Sequence, residues 1–311
     1  MPPPVVLGLD FGGSKIAAAV CEIDGTRLAS ATVPTNAVDG GGPNLQRGIA
    51  LAEDLLATAA PGRPLAAVGA CTFGIPTEDG VQLAPAIAGW GDLALGRELR
   101  KAFAGAEIRL ATDVKAAAEA EARWGALVGC DPAIYLNLGT GLAVAIVAGG
   151  SVIQGRNRAA GEIGYNLRGL GDVWLSATQR SVLEDAVSGL GLQRLGSALA
   201  GTEMSAEDVF AASESDQQMA SLIATFTTEL CFHLVNLVTA IDPQRIAVGG
   251  GLVRSWHRLQ PKLRRALDAA VPFPPELVVA DFPDDAPLMG AIALGTGALA
   301  DGVGTDQRVR T

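Results

Sequence analysis

The chain has 311 residues, 49% of them apolar, and a net charge of −10, which is enough length for two domains with separate cores. Its four lysines and acidic balance exclude nucleic acid as a natural partner, because phosphate backbones need clustered Lys and Arg. Four scattered cysteines without a CxxC pair and only two histidines argue against a disulfide framework, a cysteine zinc site or a serine or cysteine triad.

The N-terminus, "MPPPVVLGLD", lacks a basic region and a small-residue cleavage site, and no run of eighteen apolar residues follows. A cytoplasmic chain without a membrane span is therefore expected. Residues 5–33, "VVLGLDFGGSKIAAAVCEIDGTRLASATV", predict three strands in a meander. The first reaches Asp10 and turns through Gly12, Gly13 and Ser14 into Lys15. A helix is predicted over 44–60, strands over 65–75 and 108–113, and a helix over 113–127, which is rich in strong helix formers.

Residues 133–155, "AIYLNLGTGLAVAIVAGGSVIQG", repeat the first grammar: strand, polar Asn137, the turn Gly139-Thr140-Gly141, strand, turn, strand. An internal duplication is the simplest reading. A long apolar helix is predicted over 217–241 and expected to be buried. Strands at 245–250 and 276–282 and a helix over 286–300 follow, and the polar tail at 301–311 is expected to be disordered. Mixed sheets flanked by helices in two similar halves make an α/β protein with an interdomain cleft. The domains are expected over 1–112 and 113–286, with the helix at about 287–302 packing back on the first.

Glycine turns after strands bring backbone N–H groups against phosphate oxygens. Here each leads into another strand, which excludes a Walker A loop and a dinucleotide fingerprint. One such turn reads as an ordinary hairpin; two at equivalent places point to a phosphate site, where Asp10 would hold Mg²⁺ through its waters. Gly249 and Gly250, after a strand and before a helix, suit the adenosine side or a plain tight turn. Together the three runs suggest a nucleotide clamped between two domains.

Asp113 ends a strand and opens a helix. It reads either as an N-cap, a role that Asp or Thr112 fills routinely, or as the base that takes a hydroxyl proton for attack on a γ-phosphate. Glu162, fenced by Gly161 and Gly164, and Glu184 suit a polyol, each accepting from two hydroxyls. For Glu184 a solvated helix position is the competing reading.

In motif order the chain resembles the ROK family of sugar kinases and sugar-responsive repressors, within the actin-like, hexokinase-like ATPase superfamily. The most specific run is 138–165, with its "AAGEIG" core; "TFGIP" (72–76) and "LEDAVSG" (183–189) add to it. The resemblance implies two actin-like (ribonuclease H-like) ATPase domains using ATP and Mg²⁺. It places Asp10, Gly12, Gly13, Ser14 and Lys15 in the first phosphate loop, Gly139, Thr140 and Gly141 in the second, and Gly249 and Gly250 near adenosine. Asp113 matches the catalytic base. Glu162, Glu184 and the "TFGIP" glycine Gly74 match sugar-binding positions, with Thr112 and Tyr165 at two more. A homodimer is also implied. A repressor would need an N-terminal DNA-binding domain, and the first strand begins at Val5.

Three departures from the pattern matter. The family's zinc-binding histidine is Tyr165, its cysteine cluster is replaced by "LRGLGDVWLSATQRSV", and two sugar-contacting asparagines are Thr112 and Ala86. A zinc-free member is expected, in which packing by Trp174 stands in for the metal. The altered ring-binding shell suggests an altered substrate. Candidates are glucose, an amino sugar such as kanosamine, or a C7-cyclitol pseudosugar, and a silent sugar sensor is the rival class.

Overall fold

The computed structural model describes residues 2–283 and 285–305, with 299–305 described by backbone alone. In chain order the elements are β1 (Val5–Phe11), β2 (Lys15–Cys21), β3 (Arg27–Pro34), α1 (Gly41–Ala59), β4 (Leu65–Thr72), β5 (Ile75–Pro76), β6 (Val81–Gln82), α2 (Leu95–Ala102), β7 (Glu107–Thr112) and α3 (Asp113–Trp124). They continue with β8 (Ala133–Leu138), β9 (Leu142–Ala148), β10 (Ser151–Val152), α4 (Gly189–Ala200), α5 (Ala206–Ala212), α6 (Gln217–Ile241), β11 (Arg245–Gly249), α7 (Trp256–Ala270), β12 (Glu276–Val279) and α8 (Ala286–Thr305).

Two compact units result. The first is Met1–Arg123 with Gln154–Ala159 and Asp284–Thr311; the second is Trp124–Ile153 with Ala160–Pro283. Each is built on one five-stranded sheet, ordered β3-β2-β1-β4-β7 in the first and β10-β9-β8-β11-β12 in the second. In both, the meander is antiparallel and two further strands run parallel to its first strand. The duplication legible in the glycine turns is therefore a duplication of topology.

In the first unit α3 counts with the N-terminal sheet, so the chain changes unit after Arg123 rather than at 112. Small residues make this possible. A Cβ on Gly290 of α8 would sit 2.0 Å from the Ala116 backbone of α3, and one on Gly69 of β4 would sit 1.9 Å from the Ala291 carbonyl oxygen. With no Cβ at either place, α8 lies directly on the sheet and on α3. The helix stops at Trp124, before Gly125. On the other face, α1 begins earlier than expected, at Gly41. Asn44 is fully buried inside its first turn and bonds to the backbone of Asn36 and Gly40.

In the second unit α6 spans the predicted residues but is not wholly buried. Met219, Ile223, Phe226, Leu230, Leu234 and Val238, at helical spacing, enter the core with Ile134, Leu136 and Val248, while Phe232 on the other side is 60% exposed. Among the described residues α6 is the one helix long and apolar enough to cross a membrane by length and composition; here one face of it packs on the sheet. Residues 301–305 of the expected disordered tail continue α8, and 306–311 lie outside the described residues.

Candidate active site

In the first unit, strand register brings the candidate residues together. Asp10 on β1 stands opposite Cys71 on β4, which stands opposite Ala111 on β7. One rung further, Phe11, Thr72 and Thr112 align, and Asp113 then opens α3. Both carboxylates thus sit at the carboxyl ends of parallel strands, where open α/β sheets bind their ligands. Asp10 is 7% exposed. Burial foremost, and then the Asp113 charge, raise its pKa from 3.8 to about 7, against a hydrogen bond from Cys71 and the charge of Lys15. The Cys71 sulfur lies 3.4 Å from Asp10 Oδ1 and 3.2 Å from the Pro287 carbonyl oxygen, so its single proton serves one of them at a time.

The helix cap is Thr112, not Asp113. Buried Thr112 accepts the Lys115 N–H through Oγ1 at 3.2 Å, while Asp113 Oδ1 accepts the N–H of Val114 at 2.8 Å. The first glycine turn is a closed hairpin. Gly12 N–H donates to the Lys15 carbonyl at 3.0 Å, and Thr35 secures the turn through the carbonyls of Gly12 and Ser14. Gly13, Ser14 and Lys15 are exposed on it. Gly74 follows β4 with φ +76°. The adjoining loop is anchored by Trp90, buried and stacked on Phe73, whose Nε1 donates to Thr72 Oγ1 at 3.0 Å. Ala86, four residues before it, is exposed.

The second unit holds the other loop. The N–H groups of Gly189 and Leu190, opening α4, donate to the carbonyls of Gly139 (2.8 Å) and Thr140 (3.2 Å), and Ser188 caps that helix through the Gly191 N–H. A cavity of about 330 Å³ is walled here by Gly139, Thr140, Gly189, Leu190, Gly251 and Leu252. Its glycine walls leave backbone open to the cavity between Leu190 and Leu252, and its size fits a nucleoside. Gly249 is packed instead against the Tyr135 hydroxyl, 2.1 Å from where its Cβ would be, and Gly250 against the Leu138–Gly139 backbone. Sequence reasoning missed Gly189, Leu190, Gly251 and Leu252; the Ser-Gly-Leu-Gly run opening α4 was the available signal.

Glu184 is exposed on a short 3₁₀ turn, as a solvated position would be, but its carboxylate is also anchored. Its Oε2 accepts the Leu142 N–H at 2.7 Å, and a Cβ on Gly141 would meet the same oxygen at 2.5 Å. Glu162 leads into a 3₁₀ turn, Ile163–Tyr165. Gly161 before it has φ +87°, its carbonyl accepts the Val144 N–H at 2.9 Å, and a Cβ there would lie 1.9 Å from the Val144 carbonyl oxygen. Only glycine permits this turn to lie on β9. Burial, and then the charges of Glu184 and Glu162, raise the Tyr165 pKa, so the phenol stays protonated among two carboxylates.

The expected packing role of Trp174 is not observed: it is 92% exposed. An indole on a surface turn has no helix or sheet face to lie against. The turn is held by a fork–fork ion pair instead. Arg168 Nε and Nη2 donate to the two carboxylate oxygens of Glu229 on α6 at 2.8 and 2.7 Å, and Nη1 donates to Ser181 Oγ at 3.0 Å. Arg180 donates to the carbonyls of Tyr165 (2.6 Å) and Asn166 (3.0 Å), and Asn166 Nδ2 lies 3.3 Å from His233 Nδ1. Bidentate, charge-assisted bonds fix orientation as metal ligands do. Arg168→Ala is expected to raise the KM for the bound ring about tenfold, as loss of an outer positioning group does, with a smaller change in kcat and partial rescue by Arg168→Lys. An equal loss in both constants, or one zinc per chain by elemental analysis, would overturn this role.

A family model described as the ROK family matches residues 6–297. The bifunctional enzyme NanE/NanK of Brucella melitensis is 30% identical over 297 residues, 94% of this chain and 54% of that protein, so the chain spans about half the length of that relative. A kanosamine kinase of Amycolatopsis mediterranei is 28% identical over 274 residues, covering 85% of this chain and 86% of the kinase. Among solved structures, a ROK hexokinase from Thermus thermophilus matches with a TM-score of 0.81 at 29% identity, over 96% of this chain and 100% of that one.

Proposed function

The chain belongs to the ROK family, and we propose that it is an ATP- and Mg²⁺-dependent kinase of the primary hydroxyl on a glucose-like ring. The observation that carries this reading is the pair Asp10 and Asp113, brought to the carboxyl ends of β1 and β7 on either side of β4, with Asp10 held at a pKa near 7. A buried carboxylate whose charge is opposed by its surroundings is suited to a cation that relieves it. Asp10 would hold Mg²⁺ through water, and the metal would supply charge neutralisation at the phosphates. Asp113, on the rigid first turn of α3, would accept the hydroxyl proton. The exposed hairpin Gly12–Lys15 and the loop Gly139–Gly141 would position phosphate oxygens by backbone N–H groups, and Glu162 and Glu184 would accept from ring hydroxyls.

The substrate class follows from the changed shell. Tyr165 offers a longer donor and acceptor than an imidazole, and the exposed Ala86 offers no amide. Glucose and amino sugars such as kanosamine fit this shell, and kinship to a named kanosamine kinase supports the latter. A C7-cyclitol is the second reading, since it too carries an exocyclic primary hydroxyl. The test is an ADP-release assay with ATP and Mg²⁺ against glucose, mannose, N-acetylglucosamine, N-acetylmannosamine, kanosamine and valienone-type cyclitols. Turnover of kanosamine or glucose is expected to lead the panel. Measurable binding with no turnover of any ring would replace the kinase reading with a silent sensor.

A further inference from the structure

A cavity of about 980 Å³ in the first unit is lined by none of the site residues above. It lies at the outer edge of the sheet, beside β7, where α2 and the 154–159 segment meet. Four arginines line it: Arg100 from α2, Arg109 from β7, and Arg156 and Arg158 from the segment. Glu78 and Glu119 also line it, so the wall is net positive in a chain of net charge −10. Arg109 has Glu107 at 3.4 Å. Among the described residues no acid pairs with Arg100 or Arg156, and both are exposed.

Arg158 is held from several sides. Its backbone has φ +60°, a conformation uncommon outside glycine that recurs at ligand-binding positions. Its guanidinium donates to the Leu110 carbonyl, and its own carbonyl accepts Lys115 Nζ at 2.9 Å. Two polar atoms on this wall are buried with no hydrogen-bond partner: Arg158 Nε, a donor, and Gln154 Oε1, an acceptor. Native proteins rarely leave such atoms unmatched unless something else supplies the partner. Here the missing partners are of opposite kinds, an anionic acceptor for the arginines and a neutral donor for the amide.

We propose that this cavity binds a phosphate monoester of a small polyhydroxy compound, the arginines holding the phosphate and Gln154 accepting from a hydroxyl. Guanidinium groups match phosphate oxygens in planar, charge-assisted pairs. An ester with a free hydroxyl also answers the orphaned amide oxygen, which a bare anion with no carbon-borne hydroxyl does less well. The site goes beyond the kinase reading and does not require it, because its ligand is recognised at residues with no part in the proposed chemistry.

The test is calorimetric titration of the full chain, with ADP and Mg²⁺ saturating, by glucose 6-phosphate, glycerol 3-phosphate and inorganic phosphate. At least one ester is expected to bind saturably, and which one tells whether the ligand is a sugar phosphate or a smaller polyol phosphate. Arg100→Glu with Arg156→Glu, both exposed and outside the proposed catalytic machinery, is expected to weaken that binding by about tenfold or more with the melting temperature unchanged. Gln154→Leu is expected to bring the ester down to the affinity of inorganic phosphate. No saturable binding of either ester, or binding untouched by the double charge reversal, would overturn the proposal. Turnover is not among the readouts, so failure of the kinase assay and failure of this site are distinguishable.

Discussion

Asp113→Asn is expected to lower kcat by roughly 10²–10⁴, the usual contribution of a general base, with the ring substrate's dissociation constant changed by less than about threefold. The structure makes this substitution a clean one. The amide oxygen of asparagine can still accept the Val114 N–H that Asp113 Oδ1 accepts now, and the helix cap belongs to Thr112, so α3 keeps its start. What is removed is the ability to take a proton. Initial rates by ADP release, set beside calorimetric sugar binding, separate the two quantities. An unchanged kcat would remove Asp113 from the base role.

Asp10→Asn is expected to lower turnover by roughly 10²–10³, as loss of one electrostatic partner of the transition state does, and at the same time to stabilise the metal-free protein at pH 8. The sign follows from linkage. A carboxyl with a pKa of 3.8 when unfolded and about 7 when folded costs no stability below pH 4. It costs progressively more as the pH rises to 7, and its full penalty above that. For this shift the full penalty is ~4 kcal/mol, and a neutral amide escapes most of it. Thermal melts without metal should therefore show the variant above wild type at pH 8 and the two converging near pH 4. Added Mg²⁺ should narrow the gap at pH 8 by stabilising only the wild-type carboxylate. A variant no more stable at pH 8, yet inactive, would mean that Asp10 is not held under electrostatic tension and serves in some other way.

Much of the second unit's turn geometry was legible because its signals are local. The alternation of apolar runs and glycine turns is written within single segments, and so is the glycine fence around Glu162. Gly161 illustrates why: its positive φ and its closeness to Val144 are demands on one residue, and one residue type meets them. The ion pair that holds the turn after Tyr165 was not legible. Arg168 and Glu229 are 61 positions apart, and nothing near either one marks the other. Trp174 looked like the packing residue because apolar character is visible in sequence, whereas the presence of a surface to pack against is not. The cap of α3 was ambiguous for a related reason. Thr112 and Asp113 are both favoured cap residues, Asp the more so, and the register of β7 against β4 decides which side chain turns back over the helix.

By itself the sequence determined two repeats of one meander, the strand ends where Asp10 and Asp113 sit, the two glycine turns and the fenced Glu162, because backbone preference and hydrophobic period act over a few residues. Only the tertiary structure decided the charge state of Asp10, which depends on burial at β1 beside Cys71 and Pro287 and on the nearby Asp113. It also decided that Glu184 is anchored on the Leu142 amide, that an arginine fork holds the Tyr165 turn, and that four arginines share one cavity. Desolvation, ion pairing and cavity formation arise between elements far apart in the chain, and their energies exist only once those elements are packed.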